Sequence, residues 1–282
     1  THGFYVKGDC APVVFEISTI DPSDTFTDIG NGILIGNDAS VKVDDTKKLV
    51  PALSDSLALS QLGGVPHNVS TTINNALIGS AILKRYKTLI IDNFYILNGT
   101  LWHGANNRII GIGKSLSGIK QGDNVNLYTI QSINSDIKNE VKLNDYLELA
   151  HFEIDGNTAK NSRRDYSQDI NKSYWGFGVA VFNTDHFYIH DMHIKNTDAW
   201  GISYHICNVV HAENLTFDQA VESGRNKDGI TGTGKRVTYK NIRGYTSDDL
   251  CAVGTGKSSL LGRDTGITAR QEIEYVNIDL VH

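Results

Sequence analysis

The sequence predicts a parallel β-helix, and three observations carry that prediction. First, one pattern recurs four times in the last third of the chain. It is a Gly or small residue, a short alternating strand, a second strand, and an Asn-apolar-x-apolar strand. The units begin at Gly178 (GVAVF…FYIHDMHIKN), Gly201 (GISYH…VVHAENLTFDQ), Gly229 (GITGTG…VTYKNIRGY) and Leu250 (LCAVGTG…IEYVNIDLV). Second, Asn214, Asn241 and Asn277 share one slot of three units, followed by Leu215, Ile242 and Ile278. Third, Gly, Asn, Asp, Thr, Ile and Val are abundant and helix formers do not dominate, which favours strands joined by tight turns. Repeats of twenty-odd residues built only from short strands mean a solenoid, and without helices a β-helix. Equal slots of successive coils then lie one strand spacing apart, ~4.8 Å.

Residues 1 to about 45 alternate apolar and polar residues between turns at Gly30–Gly32 and Gly36–Asp38, which predicts a small N-terminal β-subdomain. With a linker it extends to residue 65, and the solenoid occupies 66–282. Ile73, Leu77, Ala81 and Ile82 recur at helical spacing after Ser70 or Thr71. An exposed first coil is an unpaired sheet edge, so this helix is expected to cap it. FYILNGTLWHGANNRIIGIGKSLSGIKQG, starting at Phe94, forms the first coils, and LELAHFEI at Leu147 another. Thr158–Tyr174 is polar without periodicity and leaves the solenoid as a loop. The start at Thr1 and the stop at His282 just after a strand read as a piece of a longer chain.

The formal charge of −6 argues against a nucleic-acid partner and is too mild for disorder. No run of 18 apolar residues exists, so no membrane insertion is expected. Cys10, Cys207 and Cys251 are odd in number and far apart, which argues for folding in a reducing cytoplasm with structural thiols. RIIGIGKS does not complete the spacing of a phosphate-binding loop and opens no long helix. His186, His190, His193, His205 and His211 are dense but are not spaced to share an ion, so neither metal nor cofactor is expected.

The order GFYVKGD, capping helix, FYILNGTL…NRIIGIGKS, then β-helix coils resembles the tailspike or receptor-binding proteins of bacteriophages with a pectate-lyase-like fold. The resemblance implies a right-handed coil, a homotrimer, a place on the virion tail after folding in the host cytoplasm, and a bacterial surface polysaccharide as partner: capsule, O-antigen or teichoic acid. Locally, NKDG at Asn226–Gly229 and SDDLCA at Ser247–Ala252 resemble the NTDG and DDC motifs of polygalacturonases. In that family three aspartates hydrolyse a polysaccharide with inversion. Asp228 matches the first, and Asp248 and Asp249 match the pair. Lys227 stands in place of Thr, and Leu250 intervenes before Cys251.

The repeat alignment reaches the same aspartates independently. Gly229 and Leu250 share a slot, so Asp228 and Asp249 do too, with Asp248 adjacent. Clustered carboxylates repel, which raises at least one pKa. One protonated acid beside one ionised base is what glycoside cleavage needs. Asp at a β-turn also occurs for its own backbone hydrogen bond, and that reading stands beside the catalytic one. Gly201 to Gly229 spans 28 residues against 23 for the preceding coil. Glu222, Arg225 and Lys227 on this longer connection, with Trp200 in the aspartate slot, are candidate groove walls for a sugar. A charged solvated loop and corner packing are the competing readings. A non-catalytic adhesin and a polysaccharide lyase are the competing functions.

Overall fold

A computed structural model of the chain describes residues 88–103, 107–132, 144–161, 176–219, 227–254 and 271–280, with short stretches before residue 59 and at 257–258 and 263–264. Among the described residues there is no helix. The capping helix expected after Ser70 lies outside them, as do the loop at 162–175 and the connection at 220–226. The strands His2–Gly3, Val14–Thr19, Phe26–Asp28, Leu34–Gly36, Val41–Lys42 and Lys47–Pro51 form a six-stranded antiparallel sheet.

Everything from Ser56 to Leu280 that forms the main sheet pairs in parallel, 16 strands in all. The chain is a right-handed parallel β-helix, the hand that parallel crossovers take. Each coil has three faces. One stacks Thr88–Ile91, Asn107–Gly111, Asn144–Ala150 and the second halves of Val179–His190 and Ile202–Glu213. A second stacks Phe94–Leu97, Gly118–Gln121, Glu153–Asp155, His193–Lys195 and Thr216–Asp218. The third stacks Leu101–His103, Ile130–Ser132 and the first halves of the two long strands, ending on Cys251–Val253. The 16-residue strand Ile230–Tyr245 runs through all three faces.

Alternation along each strand sends every second side chain inward. Register then turns that alternation into columns of like residues. Ile130, Val179, Ile202 and Ile230 stack on the third face, and Leu147, Phe187 and Val210 on the first. All are buried in one continuous core.

The corner between the first and second faces needs a left-handed residue. Asn214, Asn241 and Asn277, the repeated slot of the sequence, each adopt φ 54 there. Asn tolerates this conformation better than most residues with a Cβ. Its amide also bonds the next coil: Asn241 Nδ2 donates to Asn214 Oδ1 at 2.9 Å, and Asn277 Nδ2 to Asn241 Oδ1 at 2.9 Å. Asn214 Nδ2 continues the ladder to Asp191 Oδ1 at 3.1 Å. Asn241→Ala removes both a donor and an acceptor and strains a left-handed position. It is expected to cost ~2 to 3 kcal/mol by urea denaturation, and Asn241→Gly, which relieves the strain, visibly less.

Candidate active site

The slot before each repeat glycine forms a column running parallel to the axis of the solenoid. Gly178 N donates to Trp200 O at 3.2 Å, Gly201 N to Asp228 O at 2.9 Å, and Gly229 N to Asp249 O at 2.9 Å. Phe177 heads the same column, its carbonyl accepting from Thr129 N at 3.3 Å. The glycines are there because the coils approach too closely for a side chain. A Cβ on Gly201 would meet Gly229 O at 2.8 Å, and one on Gly229 would meet Leu250 O at 2.5 Å. The predicted register of Trp200, Asp228 and Asp249 is thus present in the backbone.

Upstream, the column is aromatic. Tyr128 stacks on Phe177 at 5.4 Å and Phe177 on Trp200 at 5.1 Å, with rings within 12° of parallel. These rings pack with Ala180, Phe182 and Ala199 into a cluster separate from the core. Val179 and Val181 point into the core, so Ala180 and Phe182 face out. The cluster therefore lies on the outer side of the third face. Trp200 is half-buried there. Phe177 and Tyr128 are neighbours that the sequence reading passed over. Phe177 was legible, since Phe-Gly precedes its unit as Trp-Gly and Asp-Gly precede theirs.

Downstream, the column is acidic. Asp228 is 3% exposed, while Asp248 and Asp249 are exposed. Thr231 Oγ1 donates to Asp228 Oδ2. Asp228 Oδ1 is buried and accepts no hydrogen bond among the described residues. Burial, opposed by the Thr231 hydrogen bond and aided by the nearby charges of Asp248 and Asp249, pushes the Asp228 carboxyl up to about 6. The structure therefore brings the charges of Asp248 and Asp249 to bear on Asp228. Thr231 is a fourth member without a sequence signal, because a Thr on an outward strand position is ordinary.

Next along the outer face, Ser203 Oγ lies 2.9 Å from His205 Nε2, and His205 stacks on Phe182 at 5.6 Å. Burial holds the His205 imidazole down at about 3, so it is uncharged near neutrality. Lys227 has no accessible surface. It therefore stands neither in an open groove wall nor on a solvated loop, the two places that its polar neighbours in sequence suggest. Glu222 and Arg225 lie outside the described residues. Among the described residues, the three aspartates do not bring ligand atoms close enough to one another to share a metal ion. Cys207 is buried and Cys251 half-buried, both free, and burial pushes each thiol up to about 12, which leaves them structural rather than nucleophilic.

A buried acid beside exposed carboxylates on a β-helix coil is the setting in which the family comparison has meaning. Residues 119–268 match the model of glycosyl hydrolases family 28, and this span contains the whole acidic column. The chain belongs to glycosyl hydrolases family 28. Membership supports hydrolysis of a polysaccharide as its class of activity. Two solved structures share the fold. A protein of Parabacteroides merdae described as a "putative glycosyl hydrolase" is 13% identical with a TM-score of 0.55, covering 80% of this chain and 96% of that one. ORF18 of Geobacillus virus E2 is 11% identical with a TM-score of 0.55, covering 88% of this chain and 48% of that one. This chain thus spans about half of the viral protein. No curated protein matches in sequence.

The Asp228 environment has a consequence for stability. Its folded pKa lies above the ~3.9 of an unfolded Asp, so its contribution is favourable below pH ~4 and is lost as pH rises through about 6. Asp228→Asn, which carries no charge to bury, is expected to raise stability by ~1 to 3 kcal/mol at pH 8 and to leave it unchanged at pH 4. Denaturant melts at the two pH values check this.

Proposed function

We propose that this chain is the β-helix of a bacteriophage tailspike that binds and hydrolyses a bacterial surface polysaccharide. The observation that carries the reading is Asp228: a buried carboxyl with one oxygen unpartnered among the described residues, held protonated up to pH about 6, beside two exposed carboxylates of the next coil. The proposed chemistry is general acid–base hydrolysis. Asp228 donates its proton to the glycosidic oxygen as the C–O bond breaks. Asp248 or Asp249, ionised, takes a proton from the water whose oxygen bonds the anomeric carbon. The likeness to polygalacturonases implies inversion, in which the water enters opposite the leaving group.

The aromatic column leads up to this acid along the axis. A half-buried Trp200 offers an apolar ring on which the C–H face of a sugar stacks while its hydroxyls remain solvated. A polymer lying along the solenoid would pass from ring to acid without changing direction. The viral origin of one structural relative supports a virion setting, with capsule, O-antigen or teichoic acid as the polymer and a homotrimer as the working form. Free structural thiols agree with folding in the host cytoplasm. Among the described residues no helix is long and apolar enough to cross a membrane.

The test is release of reducing ends from host envelope polysaccharide. Asp228→Asn and Asp249→Asn are each expected to lower the rate ~10²- to 10⁴-fold while retaining the fold. In the wild type, kcat/KM is expected to fall as pH rises past about 6. Unsaturated sugar products absorbing in the ultraviolet would make the enzyme a lyase instead. Binding without any new ends would make it an adhesin, and full turnover in both variants would remove the aspartates from the chemistry.

A further inference from the structure

The corner ladder is not asparagine throughout. In the coils before Asn214 its slots hold Asp191 and His151, both left-handed, at φ 53 and φ 64. His190 stands beside them at the end of the first face. We propose that His151, His190 and Asp191 form a binding site for one divalent transition-metal ion of the zinc type.

The three side chains offer ligand atoms that all lie within 4.8 Å of one another. Asp191 Oδ2 is 2.8 Å from His190 Nδ1 and 3.8 Å from His151 Nδ1. A tetrahedral ion with bonds near 2.0 to 2.1 Å sets its ligands roughly 3.3 Å apart, so these separations straddle the required value. The two imidazole rings meet edge to face, 5.1 Å apart at 89°, which lets their nitrogens approach one point without overlap of the rings. Two imidazoles and one carboxylate are a donor set that zinc and its first-row neighbours accept, with a fourth position left for water.

The surroundings support the ligands as a metal site requires. His190 Nε2, the nitrogen facing away from the trio, lies 3.2 Å from Glu148 Oε1. Such a carboxylate fixes the tautomer and aim of a metal-binding His. Glu148 is itself held by Arg108 Nε at 2.9 Å, by Arg108 at a second nitrogen at 3.1 Å, and by the Tyr146 hydroxyl. Asp191 Oδ1 is occupied by Asn214 Nδ2, which leaves Oδ2 turned to the histidines. An ion here would staple two adjacent coils, since Ala150 pairs with His190. Without metal, the same groups make only partly exposed His–Asp contacts.

The ladder supplies unusually mild test substitutions. His151→Asn and Asp191→Asn each install the residue that the other coils carry at this corner. The full chain is titrated with Zn²⁺ by calorimetry near neutral pH, and its melting temperature is followed with and without Zn²⁺. The wild type is expected to bind one ion per chain and to melt higher with it. Each Asn variant should bind at least ~10-fold more weakly, and Glu148→Gln ~10- to 100-fold more weakly, with unchanged circular dichroism. His193→Ala, which removes the partner of Glu153 on the second face, should bind like the wild type. Zn²⁺ affinity equal in the wild type and the Asn variants, or no binding by the wild type, overturns the proposal.

Discussion

The fold and the site both depend on the coil-to-coil register of parallel backbone hydrogen bonds. A parallel ladder can slip, and a slip of one residue exchanges the inner and outer sides of a strand. Here the slip is blocked at the corner between the first and second faces, where side-chain amides bond the residue in the same slot of the neighbouring coil. It is blocked again at the repeat glycines, where only a residue without Cβ fits beneath the carbonyl above. The buried columns of Ile and Val then add hydrophobic burial to a register already chosen.

Register is also what builds the proposed acid–base site from a repeat. Asp228 and Asp249 belong to successive coils and meet because Gly229 pairs with Leu250. The same stacking that aligns Ile with Ile in the core aligns carboxylate with carboxylate outside it, and like charges gain nothing from the alignment. Burial and two neighbouring acids make Asp228 a destabilising member of the fold above pH about 6. The core and the ladder offset that cost. A catalytic acid needs a pKa shifted toward its working pH, and the solenoid supplies the shift by geometry alone.

Much of this was legible in the sequence where neighbouring coils repeat the same residue. The Asn slot, the Gly slot and the Asp-Gly corner were read correctly because the last coils differ little in length. Legibility failed where a column changes residue type. His151 and Asp191 occupy the ladder slot, yet nothing in their identity marks them as its continuation, and long excursions separate their coils. The histidine spacing was judged along the chain, where His190 and His193 diverge onto two faces, whereas the partner of His190 comes from the coil below. The burial of Lys227 was not legible either, because its neighbours in sequence are polar and the pattern of a connection does not say which of its residues is covered.

The two chemically distinct corners divide the labour of the coil. The corner that carries the amide ladder joins the first and second faces, and the aspartates sit at the entry to the third. A site that must hold a carboxyl buried and partly unpaired benefits from rigidity supplied elsewhere, because the strain is then not relieved by local movement. Lengthening the connection before Lys227 leaves the ladder register untouched, since Glu213 still pairs with Lys240 and Ile202 with Ile230. Loops on the aspartate side are therefore free to differ in length and composition while the coil stays the same. That separation lets the coil hold the proposed acid–base group in place whatever the length of the connections beside it.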